Sequence, residues 1–163
     1  MTLPPPLLER AARLLDRLRA AQLTLATAES CTGGLIAAGL TETAGSSDVV
    51  ERGFVTYSNA AKTGLLGVPE AMLAKHGAVS AQVARAMAEG ALARAPVGIA
   101  VAVTGIAGPG GATPGKPVGL VYLAVACKGR ETLVERHHFS GERAEVRLAS
   151  VDAAFTLIER QLD

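Results

Sequence analysis

The chain has 163 residues, a length that suits one compact domain able to bury about two-thirds of its unfolded surface. Lysine and arginine number 16 against 15 aspartates and glutamates, scattered along the chain. That balance argues against nucleic acid or a membrane surface as partner and for a small molecule or a protein. Two cysteines, Cys31 and Cys127, make no disulfide framework, and no apolar run is long enough to span a bilayer as a helix. The N-terminus has no signal-peptide pattern, so a cytoplasmic location is expected. Tryptophan is absent, so Ala, Val, Leu and Ile must fill the core, and only Phe54 and Tyr57 stand out for stacking on a ring.

Residues 1–6 read as an extended lead, followed by an amphipathic helix carrying Leu7, Leu8, Ala11, Leu14, Leu15 and Leu18 at helical spacing. Residues 23–28 suit a buried strand, the turn Glu29-Ser30-Cys31-Thr32-Gly33-Gly34 follows, and 35–40 suit a small-residue helix. Residues 48–57 read as a second strand. Ser58 can cap a short helix over 59–65, which places Lys62 about one turn beyond Asn59. Residues 69–76 predict another short helix, and Ser80 caps a long Ala-rich one that runs to about Arg94. The nearly continuous apolar run over 97–104 is the signature of a central strand covered on both faces. A glycine- and proline-rich loop spans 105–117. Strands over 118–127 and 131–139, joined at a tight Gly129-Arg130 turn, read as an antiparallel hairpin, and 141–162 form the last helix. The order predicts an α/β fold: a three-layer α/β/α sandwich around a mixed, mostly parallel sheet, as a single domain over 1–163.

The turn after the first strand is the first candidate for chemistry. Paired glycines at a strand-to-helix corner can bring backbone N–H groups and the positive end of a helix dipole to one point. Ser30 there is either a nucleophile or a plain helix cap, and Cys31 is a rival nucleophile with no evident histidine partner. Lys62 can act as base if it sits in a dry pocket; otherwise it is an ordinary exposed lysine. His137 and His138 are consecutive on a strand, point to opposite faces and cannot easily share a metal, so no metal site is expected. Gly110, Gly115 and Lys116 match the start of a P-loop, but Pro117 stands where a Ser or Thr belongs, and a strand follows, so nucleoside triphosphate hydrolysis is rejected. The glycine loop can still wrap a ligand at the sheet edge beside Thr104, or be a mere connector. Arg143 and Arg147, one turn apart, can both face one anion.

Ala28-Glu29-Ser30-Cys31-Thr32-Gly33-Gly34, Tyr57-Ser58-Asn59 with Lys62, His76-Gly77-Ala78-Val79-Ser80, Thr104-Gly105-Ile106-Ala107-Gly108-Pro109, Lys116-Pro117-Val118-Gly119 and the stretch 139–147 occur in this order. Together they resemble the C-terminal domain of the CinA family, the nicotinamide mononucleotide amidohydrolases also called PncC. The resemblance runs from about Leu7 to the end. It implies hydrolysis of the carboxamide of nicotinamide mononucleotide to nicotinate mononucleotide and ammonia, in pyridine nucleotide recycling, with no cofactor and no metal. It further implies Ser30 as nucleophile and Lys62 as general base. Substrate contacts are expected from Thr32, Gly33, Gly34, Tyr57, Asn59, Thr104, Gly105, Gly108, Arg143 and Arg147, with N–H groups near 32–34 holding an oxyanion and an arginine holding the 5′-phosphate. A homo-oligomer, with a dimer as the guess, is the expected assembly. Larger CinA proteins carry an N-terminal nucleotide-pyrophosphatase domain that these residues do not include, so that activity is not carried over. Val49-Val50 stand where an aromatic residue is expected, which bears on packing around the nicotinamide ring. The competing readings are a nucleotide-binding module without chemistry, a Ser-Lys amidase acting on another amide, and a Cys31 thiol hydrolase.

Overall fold

The computed structural model describes residues 3–163. The first helix, α1 (Pro5–Ala20), begins earlier than its apolar spacing suggests. Pro5 and Pro6 take its first positions, where a missing N–H is harmless and the fixed φ suits the helix. The expected extended lead therefore shrinks to Leu3 and Pro4, with Leu3 buried in the core, and residues 1 and 2 of it lie outside the described residues.

Then come β1 (Leu25–Glu29), α2 (Leu35–Thr41), β2 (Val50–Val55), α3 (Asn59–Leu66), α4 (Glu70–His76), α5 (Ala81–Arg94), β3 (Ile99–Gly105), β4 (Leu120–Cys127), β5 (Leu133–His138) and α6 (Arg143–Leu162). Ser46–Asp48 form a 3-10 turn, so β2 starts later than expected. The β4–β5 link is also longer than a two-residue turn. Lys128 N–H still bonds Gly98 O while the β4–β5 pairing begins only at Val125–Leu133, so the strands diverge before the chain reverses.

The strands lie in the order β2-β1-β3-β4-β5. β1 is parallel to both β2 and β3, and β4 is antiparallel to β3 and β5. Four strands thus run one way and β4 the other, which makes the sheet mixed. Alternation along the strands sorts side chains by size. Ile99, Val101 and Val103, with Val121, Leu123 and Val125, face α1, α2 and α6, whose Leu14, Ile36 and Phe155 complete that core. Ala100, Ala102, Ala124 and Ala126 face the other way, onto Val83, Met87 and Ala91 of α5 and Leu66 of α3. An alanine-faced sheet lets α5 come close. No helix among the described residues is long and apolar enough to cross a membrane.

Gly90 extends this economy of volume to the next layer. A Cβ there would lie 2.0 Å from the carbonyl oxygen of Leu66, the last residue of α3. Alanine in a helix interior is normally worth about 1 kcal/mol over glycine. Here the clash should dominate, and Gly90→Ala should destabilise by about 1–3 kcal/mol, read as a lower urea midpoint. Because α3 must shift, the position of Lys62 shifts with it.

The topology also fixes where a ligand can sit. β1 lies between β2 and β3, with α2 crossing on one face and α5 on the other, so the chain diverges at the carboxyl ends of β1 and β3. A crevice at such a point is the usual ligand site of open α/β sheets. Ser30 follows β1, and Thr104 and Gly105 close β3.

Candidate active site

Ser30 is the first residue beyond β1. Its N–H still bonds Val103 O at 3.1 Å, so the serine is fixed by the sheet before the chain turns. Ser30 O then accepts from Gly33 N–H at 3.0 Å, closing a tight turn, and Gly33 (φ +56°) and Gly34 (φ +103°) take left-handed conformations that side chains rarely adopt.

Lys62 reaches Ser30 from α3. Ser58 caps that helix, its Oγ accepting Ala61 N–H at 3.0 Å, as its place in the sequence predicts. Only 1 % of Lys62 is exposed. Its Nζ lies 3.0 Å from Ser30 Oγ, 3.0 Å from Thr56 O and 3.3 Å from Tyr57 O. Among the described residues no carboxylate forms an ion pair with it, and burial lowers its pKa below the ordinary lysine value of 10.5. A neutral amine has two N–H groups and one lone pair. With the two N–H groups on Thr56 O and Tyr57 O, the lone pair is left for the hydroxyl proton of Ser30.

These residues border a cavity of about 270 Å³ that is also lined by Tyr57, Asn59, Thr104, Arg143 and the loop residues Gly105 and Gly108. Thr104 Oγ1 donates to Ala78 O at 2.9 Å, tying the 77–79 segment to the end of β3. Tyr57 is 60 % exposed and stands at the mouth, where its hydroxyl accepts from Arg143 Nη2 at 3.0 Å. Arg143 Nη1 donates to Gly108 O at 2.9 Å, so one guanidinium joins Tyr57 to the glycine loop. Cys31, Ala78, Val79, Ile106 and Gly111 also line the cavity, and of these only Cys31 is a candidate for chemistry in the sequence.

Several expected contacts are placed elsewhere. Thr32, Gly33, Gly34 and Arg147 do not line the cavity. Thr32 is fully buried and its hydroxyl donates to Glu29 Oε1 at 2.7 Å. Arg143 and Arg147 diverge despite their one-turn spacing: Arg147 donates from Nε to Cys31 O at 3.1 Å and from Nη2 to Thr32 O at 2.9 Å. The first turn of α2 does not present an empty anion site either. Glu29 Oε1 accepts Ile36 N–H at 2.8 Å and Oε2 accepts Ala37 N–H at 3.1 Å, so a buried carboxylate already occupies the positive helix end. Of the turn's N–H groups near 32–34, that of Gly33 is engaged by Ser30 O, whereas those of Thr32 and Gly34 have no backbone partner among the described residues.

Glu29 is the residue that reading by motif missed, although one signal was present. A carboxylate closing an apolar strand must find donors, and the orphan N–H groups of the next helix are the nearest ones. Cys31 is buried, and burial pushes its thiol up to about 12. A neutral thiol at ordinary pH is a poor nucleophile, which counts against the thiol-hydrolase reading. Val49 and Val50 lie at the amino end of β2, where Val50 pairs with Leu25, while the cavity lies at the other end of the strands. They do not bear on a ring bound near Ser30. His137 stacks on Phe139 with ring centroids 5.0 Å apart, and no group of three or more His, Cys, Asp or Glu converges among the described residues.

The model of the CinA C-terminal domain matches residues 8–162. The chain belongs to the CinA C-terminal domain family. A CinA-like protein of Syntrophus aciditrophicus is 54 % identical over 142 residues, covering 86 % of this chain and 34 % of that protein. Another from Citrifermentans bemidjiense is 55 % identical over 150 residues, covering 92 % and 36 %. This CinA domain thus spans about a third of the length of these relatives. Among solved structures, the competence/damage inducible protein CihA from Agrobacterium tumefaciens has a TM-score of 0.97 at 48 % identity, covering 100 % of this chain and 99 % of that one. A CinA superfamily protein from Escherichia coli has a TM-score of 0.92 at 35 % identity, with coverages of 99 % and 94 %. The CinA fold is therefore the fold of this chain.

Proposed function

We propose that this CinA domain hydrolyses the carboxamide of nicotinamide mononucleotide by acyl transfer through Ser30, giving nicotinate mononucleotide and ammonia. The observation that carries the reading is the 3.0 Å approach of Lys62 Nζ to Ser30 Oγ, with its other hydrogen-bonding directions taken by Thr56 O and Tyr57 O. An amine so held is a base aimed at one hydroxyl.

In the first step Ser30 Oγ attacks the carboxamide carbon and its proton passes to Lys62 Nζ. The oxyanion forms beside the Ser30 turn, where Cys31 lines the cavity and its N–H has no backbone partner among the described residues. Lys62 then hands the proton to the departing nitrogen, which leaves as ammonia with an ester on Ser30. Water attacks that ester, Lys62 takes the water proton, and Ser30 leaves with it as the acid departs. Arg143 at the mouth is placed to meet the 5′-phosphate, using binding energy remote from the amide to orient it.

The test is ammonia release from nicotinamide mononucleotide by the purified, chelator-treated chain, with Ser30→Ala as control and nicotinamide riboside as the substrate lacking phosphate. Release by the parent alone, faster with the nucleotide than with the riboside, is the expected result. No release by the folded parent from either compound would remove the amidohydrolase reading and leave nucleotide binding, or another amide, as the alternatives.

A further inference from the structure

We infer that Arg147 is a positioning residue for the reaction at Ser30: from outside the cavity it holds the carbonyls of Cys31 and Thr32 and so fixes the turn that carries the nucleophile.

In a trans peptide the carbonyl oxygen and the following N–H point to opposite sides. Arg147 holds Cys31 O through Nε and Thr32 O through Nη2, so both carbonyls point toward α6 and the N–H groups of Thr32 and Gly33 point away from it. The side they point to is identified by a bond: Gly33 N–H closes on Ser30 O at 3.0 Å. Thr32 N–H faces the same side, within the protein, since Thr32 is fully buried. The need for such a clamp lies at Cys31. Leu35 N–H bonds Thr32 O and Ala38 N–H bonds Gly34 O, so α2 already holds the turn from Thr32 onward, whereas Cys31 O, next to the nucleophile, has no backbone donor among the described residues and is held by Arg147. Arginine suits the task because its fork spans two adjacent carbonyls, which a single ammonium does not match.

This assigns different work to two arginines that share one helix face. Arg143 borders the cavity and can touch substrate; Arg147 acts through the turn. The inference rests on the Ser30 reading above, so its test includes a readout independent of the nucleotide. Ser30 is labelled with phenylmethanesulfonyl fluoride in the parent, Arg147→Ala, Arg147→Lys and Ser30→Ala, and followed by intact mass. In that step Ser30 Oγ bonds to sulfur, fluoride leaves, and the serine proton goes to Lys62. The expected result is labelling about 10- to 100-fold slower in Arg147→Ala and intermediate in Arg147→Lys, with recovery on adding guanidinium ion at millimolar concentration. With nicotinamide mononucleotide the loss should fall on kcat with KM within about two-fold, whereas Arg143→Ala should raise KM.

Should Arg147→Ala fail to fold, Arg147→Lys carries the comparison. Parent-like labelling in the folded variant, or a raised KM with unchanged kcat, would overturn the inference and make Arg147 a substrate ligand or a bystander. A parent that labels at Ser30 but releases no ammonia would defeat the nucleotide reading while leaving the clamp under test. A parent that does neither would defeat both.

Discussion

Lys62→Ala should lower kcat for amide hydrolysis by about 10²–10⁴-fold, the usual worth of a positioned general base, with the chain still folded. Lys62→Arg should be no better. Arginine keeps the positive charge and approximate length but does not give up its proton, so it cannot accept one from Ser30. A variant needing only the charge would survive this change; one needing the lone pair would not. The parent should show kcat/KM rising with pH along a single limb centred below 10.5, because burial lowers the Lys62 pKa and the neutral amine is the working form. The sign for stability follows from the same shift. Between the lowered folded pKa and the unfolded one, the unfolded chain binds the extra proton, so Lys62 makes stability rise with pH across that window. Lys62→Met removes the titrating group and should flatten this component. Rate profiles and urea midpoints taken over the same pH range check both statements. A limb at the ordinary lysine value, or activity in Lys62→Arg, would assign the base elsewhere.

Glu29→Ala should be the most destabilising change near the site, at about 3 kcal/mol. Its carboxylate accepts the Thr32 hydroxyl and two helix N–H groups in a buried position, and hydrogen bonds to charged acceptors are worth about 1.5–3 kcal/mol each without adding fully. Removing it leaves Ile36 N–H, Ala37 N–H and the Thr32 hydroxyl without their acceptor inside a packed core. Glu29→Gln should cost less, about 1–2 kcal/mol, because one oxygen still accepts while the amide NH₂ faces a donor. The urea midpoint of each variant is the measurement, with Ser30 labelling as a second readout, since the turn is built on this cap. Equal stability of Glu29→Ala and the parent would mean that water replaces the carboxylate without penalty.

What the sequence reveals and what it conceals divide along physical lines. The apolar run over 97–104 marks a strand covered on both faces, and β3 is indeed the centre of the sheet with helices on either side. Ser58 and Ser80 mark helix starts because a cap is a local device, settled within three residues. The burial of Lys62 is not local. It depends on α3 docking against α5 at Gly90 and on Thr56 and Tyr57 turning their carbonyls inward. The divergence of Arg143 and Arg147 is likewise invisible in their spacing, since helical periodicity gives a shared face but not the distance from that face to each acceptor. Glu29 shows a third kind of failure: the glycines drew attention to an anion site, and the anion was already in the chain.

One consequence of the topology reaches beyond catalysis. Ser30 and Lys62 both belong to the stretch that runs from β1 through α2 and β2 into α3, whereas Arg143 and the loop that it grips come from the far half of the chain. On the proposed reading, chemistry and selectivity are thus carried by separate segments meeting at one sheet edge. Lineages built on this frame can exchange the residues that choose a substrate while inheriting the serine and its base untouched, which makes α6 and the glycine loop the places where relatives should diverge first in what they accept.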